Sequence, residues 1–322
     1  MRGMLVLTIF GLVAVQAEAQ VRGDAGDRVI DARVVEHSTT PPVHSTRNAP
    51  ERALPDSLQQ LRLGDGSRHI GRVVELQQDR VIFETIAGVR IEANRAFARI
   101  TPVRGRIVEG EFWPEDRNAT RLFFAPTGRT LPGGEGYAGA FLLLPFVAVG
   151  ATDDFTIAGG IPPFGSLDEV PIWIAPKLRV VNLPRTQVSA GLFAMHLPGA
   201  ESWEWETGQT TRTSGETVGI VYGVGTFGDL DNALHAGAGV AFGSNDGFGR
   251  VPLMVGGEMR VSRRNKLITE NWYLPGDGAA FSGGVRIMGE RWTTDLGLAA
   301  FADGGSVPYL PVVSFSYNFG GR

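Results

Sequence analysis

Polar and apolar residues alternate along most of the chain beyond about residue 120. The last such stretch, 311–319, puts Val313, Phe315, Tyr317 and Phe319 on one face of an extended strand and Ser314, Ser316 and Asn318 on the other. Successive side chains of a strand point to opposite faces, so one face here is apolar and aromatic and the other polar. The same period recurs upstream. In 251–262, Leu253, Val255, Met259 and Val261 oppose Glu258 and Arg260; in 279–289, Phe281, Val285 and Ile287 oppose Ser282 and Arg286. In 291–301, Leu296 and Leu298 oppose Asp295; in 170–181, Ile172, Ile174, Leu178 and Val180 oppose Lys177 and Arg179. The pattern predicts twelve strands, at about 120–130, 137–150, 155–164, 170–181, 186–197, 217–227, 232–243, 251–262, 266–274, 279–289, 291–301 and 309–319.

Most of these approach the roughly nine to eleven residues with which a tilted strand crosses a bilayer. The connections at 151–154, 182–185, 228–231, 263–265 and 289–290 are tight. Those between are mostly longer, at 131–136, 165–169, 198–216, 244–250 and 302–308, with 275–278 as the exception. Alternating short and long connections are the habit of a membrane barrel, and an even strand count returns the C-terminus to the side it started from. Arg or Lys facing lipid at the midplane costs about 2–4 kcal/mol, so the charged faces belong to the lumen. Small residues, Gly219, Gly223, Gly225, Gly237 and Gly239, are expected there too, leaving room for a narrow water path or an inserted plug.

Upstream of the strands the character changes. Arg2, the apolar run 4–15 and Ala17-Glu18-Ala19 before Gln20 read as a secretory signal peptide over 1–19. Residues 20–55 are polar, contain Pro41-Pro42 and lack an apolar period, which predicts a disordered linker. Residues 56–104 read as a small β-module: Leu61-Arg62-Leu63, the turn Gly64-Asp65-Gly66, then Ile70-Gly71-Arg72-Val73, and later Thr85-Ile86-Ala87-Gly88-Val89-Arg90-Ile91. That order resembles SH3-like or Sm-like five-strand barrels, a resemblance that implies a fold and no function. Arg62, Arg68, Arg72, Arg80, Arg90, Arg95 and Arg99 stand interleaved with Glu75, Glu84 and Glu92, as a solvated surface does. Residues 105–119 link the module to the barrel at 120–322.

From Glu111-Phe112-Trp113-Pro114 through Arg121-Leu122-Phe123-Phe124-Ala125-Pro126-Thr127-Gly128-Arg129 and Gly150-Ala151-Thr152-Asp153-Asp154-Phe155 to the C-terminus, the chain resembles uncharacterised bacterial outer-membrane β-barrel proteins. The aromatic end of the last strand is similar to their closing strand, although Gly320, Gly321 and Arg322 follow Phe319 here. The resemblance implies an all-β fold, an antiparallel transmembrane β-barrel of about twelve strands with a small N-terminal SH3-like/Sm-like domain in the periplasm. It implies outer-membrane lipid and the bacterial barrel-assembly machinery as partners, and leaves a periplasmic partner of the module open. It transfers no catalytic residue. Composition agrees: the chain has 44 Gly, and with no Cys it can form neither disulfides nor cysteine-ligated metal sites. A formal net charge of -4 gives no footprint for nucleic acid.

Glu258, Arg260, Glu270, Arg286 and Asp295 come from four successive strands, with Lys177 and Arg179 on another. They suit either a charged constriction that selects solutes or an internal ion-pair network that fills a closed barrel; the mixture of signs favours the network. Trp203, Glu204, Trp205 and Glu206 lie in the longest outer loop, as a ligand contact or, more simply, an extended hairpin with interfacial tryptophans. Val313, Phe315, Tyr317 and Phe319 are the expected lipid-facing side of the closing strand. Gly223, Gly225 and Gly228 match G-x-G-x-x-G, but another strand follows where a dinucleotide site needs a helix. His196 and His235 have no evident serine and acid to complete a hydrolase, so no catalytic, cofactor or metal residue is assigned. The leading expectation is a non-enzymatic outer-membrane barrel, structural or a passive small-solute channel. The alternatives are a rim enzyme acting on lipid and a soluble secreted barrel holding an apolar ligand.

Overall fold

A computed structural model describes residues 58–320, apart from 143, 163–169, 200, 205–208, 213, 244–246 and 303–308. The expected signal peptide and linker lie outside the described residues. Strands β1 (Gln59–Arg62), β2 (Arg68–Leu76), β3 (Arg80–Thr85), β4 (Arg90–Asn94) and β5 (Arg99–Pro102) form one antiparallel sheet, in the order β4-β3-β2-β1-β5. Its core is Leu61, Val73, Val81 and Phe83, inward positions of the neighbouring strands β1, β2 and β3. The turn after β1 works as its residues dictate: Gly66 takes φ 88 and Ser67 N donates to Asp65 Oδ1 at 2.8 Å. Where β2 bulges between Val73 and Glu75, the buried Gln59 Oε1 accepts from Val73 N at 3.0 Å. The arginines of this sheet do not act as one basic face; Arg80 pairs with Glu92 at 2.5 Å and Arg90 with Glu84 at 3.8 Å.

The expected linker at 105–119 contains a hairpin, β6 (Gly105–Val108) and β7 (Glu111–Pro114), turned at Glu109 and Gly110, both with positive φ. The barrel follows: β8 (Gly136–Phe141), β9 (Leu144–Gly150), β10 (Phe155–Gly160), β11 (Ile172–Leu183) and β12 (Thr186–Leu197). A hairpin, β13 (Glu201–Glu204) with β14 (Gln209–Arg212), projects from the next connection. Then come β15 (Glu216–Gly228), β16 (Asn232–Gly243), the short β17 (Gly247–Phe248) beside β16, β18 (Leu253–Arg260), β19 (Asn265–Leu274), β20 (Gly278–Met288), β21 (Trp292–Ala302) and β22 (Tyr309–Phe319). Each wall strand pairs antiparallel with the next, and β22 returns to β8 from Ser314↔Phe141 to Phe319↔Gly136, closing the ring.

The wall has twelve strands, but not the twelve that alternation predicts. The stretch 120–130 is not a wall strand; it runs inside the barrel. Its apolar residues Leu122, Phe123, Phe124 and Ala125 are consecutive rather than alternate, so neither face of a strand there would suit lipid. The stretch 137–150 is two strands, β8 and β9, divided by a turn in which Leu142 takes φ 53 without a glycine to mark it. The two departures cancel in the count.

One end of the barrel carries the turns 151–154, 184–185, 229–231, 261–264 and 289–291, together with the start of β8 and the end of β22. At the other, long-loop end β8 is followed in the wall by β9, β10 by β11, β12 by β15, β16 by β18, β19 by β20 and β21 by β22. The five-stranded sheet and the hairpin meet the short-turn end through the ion pairs Arg68–Glu290, Arg104–Glu135 (2.8 Å) and Arg106–Asp231. Outward positions are apolar and exposed, among them Leu178, Val221, Leu234, Val255, Phe281 and Leu298. On β22, Val313 and Phe315 are exposed while Ser314, Ser316 and Asn318 are buried. Trp292 stacks on Phe315 at 4.6 Å and lies beside Tyr317 at 4.6 Å, an aromatic cluster on the outer surface. Gly219, Gly223 and Gly225 share the outward parity of Val221 and Phe227 rather than facing the lumen; Gly237 shares the inward parity of His235.

Candidate functional site

Backbone that passes through a barrel without joining its ladder must find other hydrogen-bond partners. The inner segment, 116–131, finds them on the inward faces of the wall strands. After Pro114 the chain enters the lumen, and Asp116, Asn118, Ala119, Thr120, Arg121, Leu122, Phe123, Ala125, Thr127, Arg129 and Leu131 are all buried. The segment folds back on itself: Leu122 N donates to Ala125 O at 2.9 Å and Thr127 N to Thr120 O at 3.0 Å. Lys177 Nζ donates to Thr120 O (2.9 Å) and Thr127 O (3.0 Å). Arg286 donates to Asn118 O, Arg121 O and Leu122 O. Glu270 Oε2 accepts from Phe124 N and Ala125 N, each at 2.9 Å, and its Oε1 accepts from Trp272 Nε1. Thr226, Thr156 and Ser189 serve Gly128 N, Leu131 N and Gly128 O. At Gly128 the segment touches the wall so closely that a Cβ would collide with the carbonyl oxygen of Gln187.

Charge completes the plug. Asp295, fully buried, accepts from Arg286 Nε at 2.7 Å, Arg121 Nη1 at 2.7 Å and Ser314 Oγ at 2.9 Å. Lys266 Nζ lies 2.8 Å from Asp116 Oδ2 and 3.0 Å from Glu258 Oε2, and Glu258 also pairs with Arg129. Asp116 lies 3.2 Å from Arg286 as well. Burial alone would raise the Asp116 carboxyl, but Lys266 and Arg286 beside it hold it well below its ordinary range. Asn118, also buried, joins the segment to Thr293, Ser316 and Asn318 of the last two strands.

The charges that alternation puts on one face therefore occupy different depths. Glu258, Glu270, Arg286, Asp295 and Lys177 are buried around the plug. Arg179 is near the short-turn rim with Asp154 at 2.7 Å. Arg260 pairs with Asp231 at 3.0 Å, donates to Pro114 O at 2.7 Å and lies 5.2 Å over the Trp113 ring, where the chain turns inward. Trp203 and Glu204 belong to β13, whereas Trp205 and Glu206 lie outside the described residues. Asp116, Asn118, Arg121, Arg129 and Lys266 complete the site, and none of them is among the candidate residues that alternation picks out. Lys266 stands on the same strand face as Glu270, and Arg121 and Arg129 flank the apolar run that enters the lumen.

One arrangement has the outline of a catalytic triad. Thr226 Oγ1 is 2.9 Å from His235 Nδ1, and His235 Nε2 is 3.7 Å from Glu258 Oε1. All three are buried, and the Thr226 hydroxyl already accepts from Gly128 N, so the hydroxyl faces the plug rather than a substrate path. His196 lies on the outside of β12, 3.1 Å from Thr217. Among the described residues, no group of His, Asp and Glu is placed to hold a metal ion.

Toward the long-loop end, the plug's Phe123 and Phe124 form the floor of a cavity of about 180 Å³ lined by aromatic rings and smaller, mostly apolar residues of the wall.

No protein-family model matches the chain, and no curated protein matches it. Among solved structures it is similar to a KdgM porin in complex with disordered oligogalacturonate, at 9% identity, covering 58% of this chain and 98% of that one, with a TM-score of 0.40. It is also similar to OmpT, an outer membrane protein of Vibrio cholerae, in a form with loop L8 deleted, at 11% identity, covering 81% of this chain and 96% of that one, with a TM-score of 0.38. The outer-membrane expressed form of that OmpT gives 11% identity, covering 81% and 95%, with a TM-score of 0.35. Likeness at this level assigns neither a family nor an activity, and the functional reading rests on the barrel itself.

Proposed function

We infer that this chain is an outer-membrane β-barrel of structural, non-enzymatic role, held shut by its own segment 116–131. The observation that carries this reading is the distribution of polarity across the wall. The large exposed side chains of the outward positions are mostly Leu, Val, Ile, Phe and Met, with Tyr and Trp, while Glu258, Lys266, Arg286 and Asp295 are buried inside. A soluble barrel that carries an apolar ligand has the reverse order, with charge outside. A closed ring also satisfies every wall backbone group, the condition for crossing lipid with strands. The short-turn end would face the periplasm, with the five-stranded sheet there as an SH3-like or Sm-like module available to a periplasmic partner. Outer-membrane lipid would surround the wall, and the barrel-assembly machinery would insert it.

A passive small-solute channel is the second reading, and it would require the plug to leave. The lumen charges already pair with one another and with plug backbone, which favours the closed barrel. Two measurements test this together. Membrane fractionation with a heat-modifiability gel should find the protein in the outer membrane as a folded band that shifts on boiling; a folded protein extracted into buffer without detergent would refute the barrel. Planar-bilayer recordings should show no steady conductance; a large open-state current in the unaltered protein would favour the channel.

A further inference from the structure

The cavity above the plug is chemically unlike the rest of the lumen. Its volume of about 180 Å³ is close to the roughly 150 Å³ of an engineered protein cavity that holds one benzene ring. Phe146, Trp173, Phe193, Tyr222 and Trp272 line it, with Phe124 from the plug. Phe193 meets Phe124 edge-on at 5.6 Å and lies tilted against Trp173 at 5.7 Å, so the walls already pack as rings against rings. Such a lining alone would suit a neutral hydrocarbon.

Two cations change the chemistry. Lys177 and Arg121 line the same cavity, and both are buried. Arg121 is engaged by Asp295, but its Nε has no hydrogen-bond partner. Among the described residues, Lys177 meets the carbonyl oxygens of Thr120 and Thr127 and no carboxylate. An ammonium has three donors, so one is left over, and two carbonyls do not neutralise its charge. The buried carboxylates around the plug are engaged elsewhere: Asp116 by Lys266 and Arg286, Asp295 by Arg286 and Arg121, Glu258 by Arg129 and Lys266, Glu270 by the amides of Phe124 and Ala125. Buried charges are normally paired, and among the described residues Lys177 has no carboxylate beside it, although it lines an aromatic cavity of one-ring size.

We propose that this cavity binds a small aromatic monocarboxylate, its ring among Phe146, Trp173, Phe193 and Tyr222 and its carboxylate on Lys177. The site rests on the closed-barrel reading, since Phe123 and Phe124 of the plug form its floor; binding in micelles and conductance in a bilayer are separate readouts, so failure of the site and failure of that reading are distinguishable.

The full chain, folded in detergent micelles, is titrated with phenylacetate and with phenylacetamide, its uncharged counterpart of the same shape. Binding is followed by calorimetry and by the fluorescence of Trp173 and Trp272. Phenylacetate should bind saturably, and phenylacetamide at least about tenfold more weakly, as the loss of a charge-assisted hydrogen bond requires. Lys177→Met should abolish that preference. Because Lys177 also holds the plug, the comparison of the two compounds on the unaltered protein decides the point if this variant does not fold. Ala158→Trp, which fills the cavity from β10, should remove binding of both while the heat-modifiable band remains. Equal affinity for the two compounds would overturn the role of Lys177. Absence of saturable binding, or a signal undiminished in Ala158→Trp, would overturn the site.

Discussion

Replacing Arg286 by Ser would remove the group on which plug and wall both depend. Its guanidinium, fully buried, meets Asp295 and Asp116 and donates to three plug carbonyls, those of Asn118, Arg121 and Leu122. Removing one partner of a buried ion pair costs about 3–5 kcal/mol, because the remaining charge stays desolvated. Two features pull toward the lower part of that range: Asp295 keeps Arg121 and Ser314, and Asp116 keeps Lys266. The three carbonyls pull the other way, since a buried acceptor left without a donor costs about 1–3 kcal/mol. The expected loss is therefore about 3–5 kcal/mol, read as a lower denaturant midpoint in detergent and a lower temperature of heat modification. Arg179→Ser is the control. Its partner Asp154 is largely exposed at the rim, so the change should cost at most about 1 kcal/mol. Planar-bilayer recordings of Arg286→Ser should show at most small, weakly selective conductance. A stable Arg286→Ser variant with a large, altered ion selectivity would refute the sealed network and mean that the lumen charges line a water path.

Three further outcomes are expected. Phe315→Asp places a charge on the outer face and breaks the stack on Trp292, so it should block membrane assembly; normal yield in the outer membrane would show the face is misassigned. Gly128→Ala puts a methyl group against the Gln187 carbonyl, so it should destabilise the barrel by about 1–3 kcal/mol by overpacking, and an unchanged thermal transition would mean the plug does not touch the wall there. Asp116 has its pKa depressed below the ordinary 3.8 by Lys266 and Arg286; its contribution is therefore complete above about pH 4 and is lost progressively as pH falls toward the folded value. Asp116→Asn should accordingly flatten the loss of stability with acid below about pH 4, and parallel pH profiles for variant and parent would contradict this.

Alternation made much of the wall legible because each membrane strand faces two solvents, lipid and a polar interior. Leu253, Val255 and Met259 against Glu258 and Arg260 carry that contrast in five residues, and in the structure the first three are exposed while Glu258 is buried. The plug was not legible for the same reason. Segment 116–131 has no lipid side, and its residues are decided one by one by whatever wall group they meet: Arg121 by Asp295, Arg129 by Glu258, Gly128 by the close approach of the Gln187 carbonyl. No periodicity in the chain encodes such contacts. The turn after β8 was hidden differently, since Leu142 adopts positive φ with none of the usual turn residues around it. The aromatic cavity follows from both omissions, because its floor exists only once Phe123 and Phe124 are known to be inside.

The place of the plug in the chain has a consequence for how the barrel is made. Segment 116–131 precedes β8 in the chain, and β22, which closes the ring on β8, is the last wall strand in the chain. The ring can thus be built around its filling, and no end of the chain has to be threaded through a closed wall. The seam itself carries the fastening: Arg117 donates to Phe319 O at 3.2 Å and Gly320 O at 3.0 Å, and Asn118 Nδ2 to Asn318 Oδ1 at 2.7 Å. Joining β22 to β8 and latching the entry of the inner segment are then one event. A circularly permuted chain in which the same segment emerges after β22 would keep every residue and lose that order of assembly, leaving an empty ring of buried charges to be filled from outside.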